Sequence, residues 1–395
     1  MSNEQNDAPW AVSLIRGDLL FRIQRRVGLI PERGLGLGRR AVFWALLAWL
    51  PTAVWAWLNG GLLPAEGSEP LLAHFGVNVR LLVAVPLLIF AEGMVQGTLS
   101  TILPRLVSSG IVAPERQEGL AAAMKGVARL RDAVYPWIVM AALLGTVLLV
   151  SAPGAAYHEL QWVKGQPEAA GIGIGFGVWW YLYVGRTIFL ALLLAWLWRL
   201  LLLSILFKRI VGVGLSLVPT HPDRCAGLGF MSRIPVMFAP VVLAISSVFA
   251  AGWAHQMVYH EATFADLRVE MIGLVVGVPL IFLIPFVSFF GLMAQTKKQG
   301  LLDYGDLIGH HGRLVRERWI NGKPIADAPI LEAPELGPIA DTAATYELIA
   351  KIRPMPLNMG SVVPLVGAAV LPMIVLVVLD LPLKTVLKVL LKVVV

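Results

Sequence analysis

Apolar runs of about 20 residues recur along this 395-residue chain, and a helix of about that length crosses a hydrocarbon core of about 30 Å. The chain is 57% hydrophobic and only 14% charged, which argues against a soluble enzyme. We therefore predict an all-α integral membrane protein with about seven transmembrane helices and additional amphipathic interfacial helices. The predicted spans are 41–58, 80–98, 136–152, 178–205, 236–257, 271–294 and 361–380.

Lysine and arginine are divided unequally between alternate loops. Of the 32 basic residues, 24 lie in four segments, 1–40, 99–135, 206–235 and 295–360, and two lie in the opposite loops. Because basic loops stay in the cytoplasm, we predict a cytoplasmic N-terminus. The net charge of +7 is not gathered in one block, so we expect membrane lipids and no nucleic acid as partners, and a homo-oligomer stays open.

The predicted organisation has four parts. They are a cytoplasmic amphipathic segment 1–40, a six-helix transmembrane bundle 41–294, a cytoplasmic segment 295–360, and a last membrane segment with a lysine-striped tail, 361–395.

Local patterns refine three of these parts. Residues 8–30 are predicted as an interfacial helix with Val12, Ile15, Leu19 and Ile23 on one face, which docks onto anionic lipid or onto the bundle. In the cytoplasmic segment we expect residues 312–320 to be extended and residues 338–352 to be helical. Two prolines, Pro364 and Pro372, leave open whether the last membrane segment is a span or a re-entrant hairpin.

Charges at membrane depth are the strongest functional signal, because each is costly unless it is paired or hydrated. We hypothesise that Glu92 and Arg186 form a buried pair that lines a polar path, with Tyr181 and Tyr183 near its outer mouth. The alternative is a pair that only fixes helix register. The remaining two arginines in the spans, Arg80 and Arg199, lie nearer span ends and are expected to be snorkelling anchors.

The densest polar cluster outside the spans is the run HPDRCAGLGF at 221–230. His221, Asp223 and Arg224 are candidates for an anion site or a cytoplasmic gate. The alternative is a hydrogen-bonded corner, in which Asp223 caps the next helix and glycines allow close backbone approach.

Three phrases carry a resemblance: HPDRCAGLGF at 221–230, YGDLIGHHGRLVRERWI at 304–320 and APELGPIADTAATYELIAKIRPMP at 333–356. With the lysine-bearing apolar tail, they resemble a family of uncharacterised bacterial multi-pass inner-membrane proteins, over about residues 200–395. The resemblance implies a location in the bacterial inner membrane and implies no activity or catalytic residue.

Membrane-depth charges and proline-broken helices favour a channel or transporter for ions or a small solute. The alternative is a sensor or assembly partner that acts through residues 295–360. No hydrolase or ATPase motif is present, so an enzyme, one that modifies lipids, is only the third alternative, and no cofactor is expected. The single cysteine, Cys225, excludes an internal disulfide and a multi-cysteine metal site. His255 and His260 are five residues apart and do not share a helical face, so no metal site is expected. The four-residue spacing of Gly273 and Gly277 predicts close helix packing.

Overall fold

The structure is a computed structural model that describes residues 10, 12–32, 34–63, 70–150, 175–260, 262–323 and 337–380. Every regular element within these ranges is helical. The helices are α1 (Leu19–Arg26), α2 (Leu37–Leu58), α3 (Phe75–Ser108), α4 (Pro114–Asp132), α5 (Tyr135–Val150), α6 (Phe176–Val213), α7 (Gly229–Tyr259), α8 (Phe264–Ile320), α9 (Gly337–Ala350) and α10 (Met359–Asp380).

Six of these helices are long and apolar enough to cross a membrane: α2, α3, α6, α7, α8 and α10. The pair α4 and α5 meets the same criterion only when both are counted as one span with a bend of 42° between them. The predicted all-α, multi-pass membrane architecture is confirmed, with six or seven spans.

Three of the long helices contain non-α turns in mid-course. A π turn occupies Arg80–Ala84 in α3, another occupies Tyr181–Gly185 in α6, and a 3₁₀ turn occupies Ile284–Phe289 in α8. The turn in α8 begins beside Pro285, which cannot donate to the preceding carbonyl. Single π turns inside α-helices are frequently found at functional sites.

The last membrane segment is one continuous helix, α10, so the re-entrant hairpin is wrong. The side chains of Leu365, Ala369, Met373 and Leu376 are buried at helical spacing, and α10 packs against α7 and α8. This apolar contact holds the helix together through its two prolines. The tail 381–395 lies outside the described residues.

The N-terminal segment docks onto the bundle, but not as one amphipathic helix. Helix α1 begins only at Leu19, where the Asp18 carboxylate accepts a hydrogen bond from the backbone N–H of Phe21 (2.6 Å). Leu14 and Ile15 precede the helix and are buried in the core, whereas Ile23 is exposed. The predicted stripe through Ile23 is therefore wrong, since the helix turns Phe21 and Gln24 inward.

The cytoplasmic segment is helical where an extended stretch was expected. Helix α8 continues through residues 312–320, and its last turn, Arg316–Ile320, is a π turn. An ion pair between Lys323 and Glu317 (2.9 Å) follows this turn. The predicted helix at 338–352 is confirmed as α9, which packs against α8.

Candidate functional sites

Four charged side chains meet inside the bundle and form what we call the charge cluster: Asp18, Arg40, Glu92 and Arg199. One Glu92 oxygen accepts a hydrogen bond from Arg40 Nη1 (2.6 Å), and the other accepts one from Arg199 Nη2 (2.9 Å). The same Arg199 nitrogen donates to Asp18 Oδ2 (2.8 Å). With two acidic and two basic groups, the cluster is formally neutral.

The charge cluster is sealed from solvent and ties four elements together. Each side chain is at most 3% exposed, and the four residues come from the cap of α1 and from α2, α3 and α6. Arg40 Nε also donates to Gln24 Oε1 (2.5 Å). Both Glu92 oxygens accept hydrogen bonds from arginines, and the carboxylate is closed off from the surface, so it does not face an open path.

The predicted pairing of Glu92 with Arg186 is therefore wrong, as is the assignment of Arg199 as a snorkelling anchor. Arg186 is half-buried on α6. Glu92 pairs with Arg40 and Arg199, and Arg199 also pairs with Asp18. Arg40 and Asp18 lie in or beside the N-terminal segment that was predicted to be cytoplasmic, where basic residues resemble topology signals. The sequence indicated that a glutamate at the depth of Glu92 needs a basic partner, but it did not identify which basic residue that partner is.

The two tyrosines of the hypothesis separate. Tyr181 is fully buried, and its hydroxyl contacts Arg80 Nη1 at 2.5 Å. Tyr183 is 45% exposed and packs its ring against Trp179. Arg80 and Tyr181 are the first residues of the two π turns, so this contact joins α3 to α6 where both helices depart from α geometry.

The segment 221–230 forms a hydrogen-bonded corner at the end of the bundle that the charge pattern places in the cytoplasm. The Asp223 carboxylate accepts backbone N–H bonds from Cys225 (2.8 Å), Gly227 (3.2 Å) and Gly229 (2.7 Å). These bonds hold the pKa of Asp223 below its usual range, although its burial acts in the opposite direction. His221 Nδ1 lies 3.0 Å from the same carboxylate.

Glycine is required twice in this corner. Gly227 has φ +97°, and a Cβ at Gly229 would lie 2.7 Å from Asp223 Oδ2. The Arg224 side chain is exposed, and its carbonyl accepts a hydrogen bond from the Arg353 N–H (2.9 Å). Asp223 therefore uses its oxygens on the backbone, as the corner alternative predicts.

A cavity of about 890 Å³ opens in the wall of the bundle between α6, α7 and α8, and we call it the lateral groove. Its polar side chains are Arg80, Gln256 and Glu270, all near the ends of α3, α7 and α8 that the charge pattern places outside. The rest of its lining is apolar and includes Leu193, Ile245, Val248, Val278 and Ile281.

The lateral groove opens on the outer surface of the bundle. Phe249 and Ile281 in its walls are 51% and 42% exposed. From Glu270 to Ile281 the groove follows α8 for about 16 Å at the helical rise of 1.5 Å per residue. This length matches one leaflet, since half of a hydrocarbon core of about 30 Å is about 15 Å.

Glycines widen the lateral groove. Gly252, Gly273 and Gly277 all line it, and a Cβ added to any of them would meet no atom within 4 Å. The prediction that Gly273 and Gly277 pack closely against another helix is therefore wrong within the described part of the chain. Their missing side chains make space in the groove instead.

Polar contacts fix the outer end of the groove. Glu270 Oε2 accepts a hydrogen bond from Trp253 Nε1 (2.9 Å), and Arg80 lies over the Phe189 ring, 5.9 Å from its centroid. At the same end of the bundle His255 stacks on His74, with 4.9 Å between ring centroids. Among the described residues no group of three or more potential ligands has the geometry of a metal site.

Comparisons of the chain with protein-family models, with curated proteins and with solved structures found no match. The lateral groove and the charge cluster therefore have to be interpreted from their own chemistry.

Proposed function

We propose that this membrane protein binds an amphiphilic molecule in its lateral groove and acts as a carrier for it. The observation that carries the proposal is the distribution of polarity along the groove. Its polar groups, Arg80, Gln256 and Glu270, lie at the outer end, and its apolar walls extend about 16 Å further into the membrane at 1.5 Å per residue. A lipid of the outer leaflet has the same order of polar head and apolar chain.

Two further observations support binding in this groove. Its volume of about 890 Å³ lies within the range of about 300–1,000 Å³ that ligand sites occupy. The π turns that begin at Arg80 and Tyr181 adjoin its head end, and such turns are frequent at functional sites.

The test is phospholipid binding to the purified protein, measured by native mass spectrometry in detergent. Gly273→Leu adds a side chain to the groove at a position where a Cβ meets no atom within 4 Å, so we expect lipid binding to fall at least tenfold while the fold is kept. Gly367→Leu is the matched control, because Gly367 is exposed on α10 and its added Cβ also meets open space. Equal lipid binding by both variants would refute the proposal.

A channel or transporter for ions or a small solute is the alternative within the transport class. The turns that interrupt α3, α6 and α8 favour it, since freed backbone carbonyls can coordinate ions. We do not include Glu92 in such a path, because its carboxylate is buried against Arg40 and Arg199. Ion flux into reconstituted liposomes that falls with Arg186→Gln would favour this alternative, and absence of flux would exclude it.

A sensor or assembly partner is the non-transporting alternative. It is favoured by the cytoplasmic tip of α8, where Trp319 and Ile320 are 70% and 75% exposed. A photo-crosslinking residue in place of Trp319 would capture the partner in cells. For either function we propose the inner membrane of a bacterium, which rests on the sequence resemblance and on the basic cytoplasmic segments.

A further inference from the structure

We propose that the lateral groove selects a zwitterionic phospholipid with a primary ammonium, so that the phosphate faces Arg80 and the ammonium faces Glu270. The inference rests on the proposed function and adds the class of headgroup. It depends on the two opposite charges that line the same outer end of the groove.

Two neutral groups are among the contacts of the Arg80 guanidinium at this end. Tyr181 Oη lies 2.5 Å from Nη1, and the Phe189 ring lies under the guanidinium carbon at 5.9 Å. These contacts place an arginine against the groove, where its planar donors match a phosphate.

Glu270 supplies the negative charge that a lipid ammonium would contact. Its Oε2 takes the Trp253 N–H, and within the described residues no lysine, arginine or histidine lies within ion-pair distance of its carboxylate. A carboxylate at the edge of the hydrocarbon region is costly without a compensating cation. A lipid ammonium provides that cation and can donate hydrogen bonds to the carboxylate.

The same pair of charges disfavours other headgroups. An anionic glycerol headgroup brings its phosphate to Arg80 but offers no cation to Glu270. A choline headgroup has a cation without an N–H donor, so it cannot hydrogen-bond to Glu270. Arg80 and Glu270 line the same end of the groove, so one headgroup that carries both a phosphate and an ammonium complements both side chains.

The experiment compares phosphatidylethanolamine, phosphatidylcholine and phosphatidylglycerol with identical acyl chains, titrated into the purified protein and measured by native mass spectrometry. We expect about a tenfold preference for ethanolamine over glycerol, the size of effect that one hydrogen bond to a charged group gives. Glu270→Gln keeps an oxygen for Trp253 and should reduce this preference to about twofold or less. Arg80→Gln should weaken all three lipids, and Glu118→Gln, at an exposed cytoplasmic site, should change none.

The outcomes separate the two proposals. Equal binding of the three headgroups, or a preference for glycerol, together with a loss of binding in Gly273→Leu would overturn the headgroup inference and leave the groove as the binding site. Binding that is insensitive to Gly273→Leu would overturn both. An unchanged headgroup preference in Glu270→Gln would show that the carboxylate does not contact the ammonium and would also overturn the inference.

Discussion

Substituting Glu92 by glutamine is the most direct test of the charge cluster. The amide is similar in size to the carboxylate, but it carries no charge and has only one oxygen acceptor. Its NH₂ group would face an arginine donor, either Arg40 Nη1 or Arg199 Nη2, which now lie 2.6 and 2.9 Å from the two carboxylate oxygens. The cluster would change from neutral to a net charge of about +1 in a site without solvent.

Two routes give the magnitude of this effect. Each hydrogen bond to a charged group contributes about 1.5–3 kcal/mol. Glutamine loses one of the two bonds and the negative charge of the acceptor in the other, which together cost about 2–5 kcal/mol. Breaking a buried ion pair by removing one partner costs about 3–5 kcal/mol, because the remaining charge is left buried. We therefore expect Glu92→Gln to reduce the free energy of unfolding by about 3–5 kcal/mol.

The single cysteine provides the assay. Cys225 is fully buried, so a thiol-reactive dye labels it only when the bundle opens. Unfolding would be followed in mixed micelles with an increasing fraction of denaturing detergent. Tryptic cleavage after the exposed Arg25 and Arg26 reports separately on release of α1, which the cluster holds through Asp18.

A double substitution tests the electrostatic reasoning. Glu92→Gln combined with Arg40→Gln restores neutrality, because Asp18 and Arg199 remain paired at 2.8 Å. We expect the double variant to lose about 1–3 kcal/mol less than the sum of the two single variants. Additive losses, or a loss below about 1 kcal/mol for Glu92→Gln alone, would refute the assignment of the cluster as a structural lock. Glu118→Gln is the control.

Three further predictions concern the cytoplasmic corner at 221–230. Asp223→Asn should destabilise the fold by about 1–2 kcal/mol at neutral pH. The folded-state pKa of Asp223 lies below its ordinary value, so the stabilisation by its carboxylate is present above the ordinary value and is lost as the pH falls through the folded-state pKa. In thermal unfolding followed by tryptophan fluorescence, the melting temperatures of variant and parent should therefore converge in acid. Gly229→Ala should cost about as much or more, because its Cβ would lie 2.7 Å from Asp223 Oδ2, and equal melting temperatures of variant and parent would contradict this. Burial raises the pKa of the Cys225 thiol, so a thiol-reactive dye should label Cys225 slowly in the folded protein at pH 8. A cysteine introduced at the exposed Ser109 should be labelled faster, and similar labelling rates at the two positions would contradict the burial of Cys225.

The architecture could be predicted from the sequence because hydrocarbon length is a strong constraint. Six of the seven predicted spans lie wholly on helices, and the described part of the remaining one, 136–150, lies on α5. The corner at Asp223 followed from cap chemistry and from glycine positions. The packing around the lateral groove was predicted less well. Gly273 and Gly277 satisfy a packing pattern, but only the positions of neighbouring helices decide whether such a pair meets a helix or a groove.

The partner of Glu92 could not be predicted because the sequence gives only the depth of a charge along its helix, and depth alone does not determine which side chains meet. Glu92 lies about 26 Å along α3 from its outer end, and Arg186 and Arg199 lie about 15 and 35 Å along α6 at the same rise per residue. The two arginines are therefore about equally distant in depth from Glu92. Asp18, whose position depends on how the N-terminal segment folds back, decides in favour of Arg199.

The two sites are linked through α3 and α6. Glu92 and Arg199 join these helices in the interior, and Arg80 and Tyr181 join them near the outside. A shift of α3 against α6 after loss of the inner contact would move Arg80 relative to Glu270, which lies on α8. Most of the apolar part of the lateral groove lies on α7 and α8, which do not contribute to the charge cluster, and the rest lies on α6. We therefore expect Glu92→Gln to weaken headgroup selection more than acyl-chain binding, the opposite of the effect of Gly273→Leu.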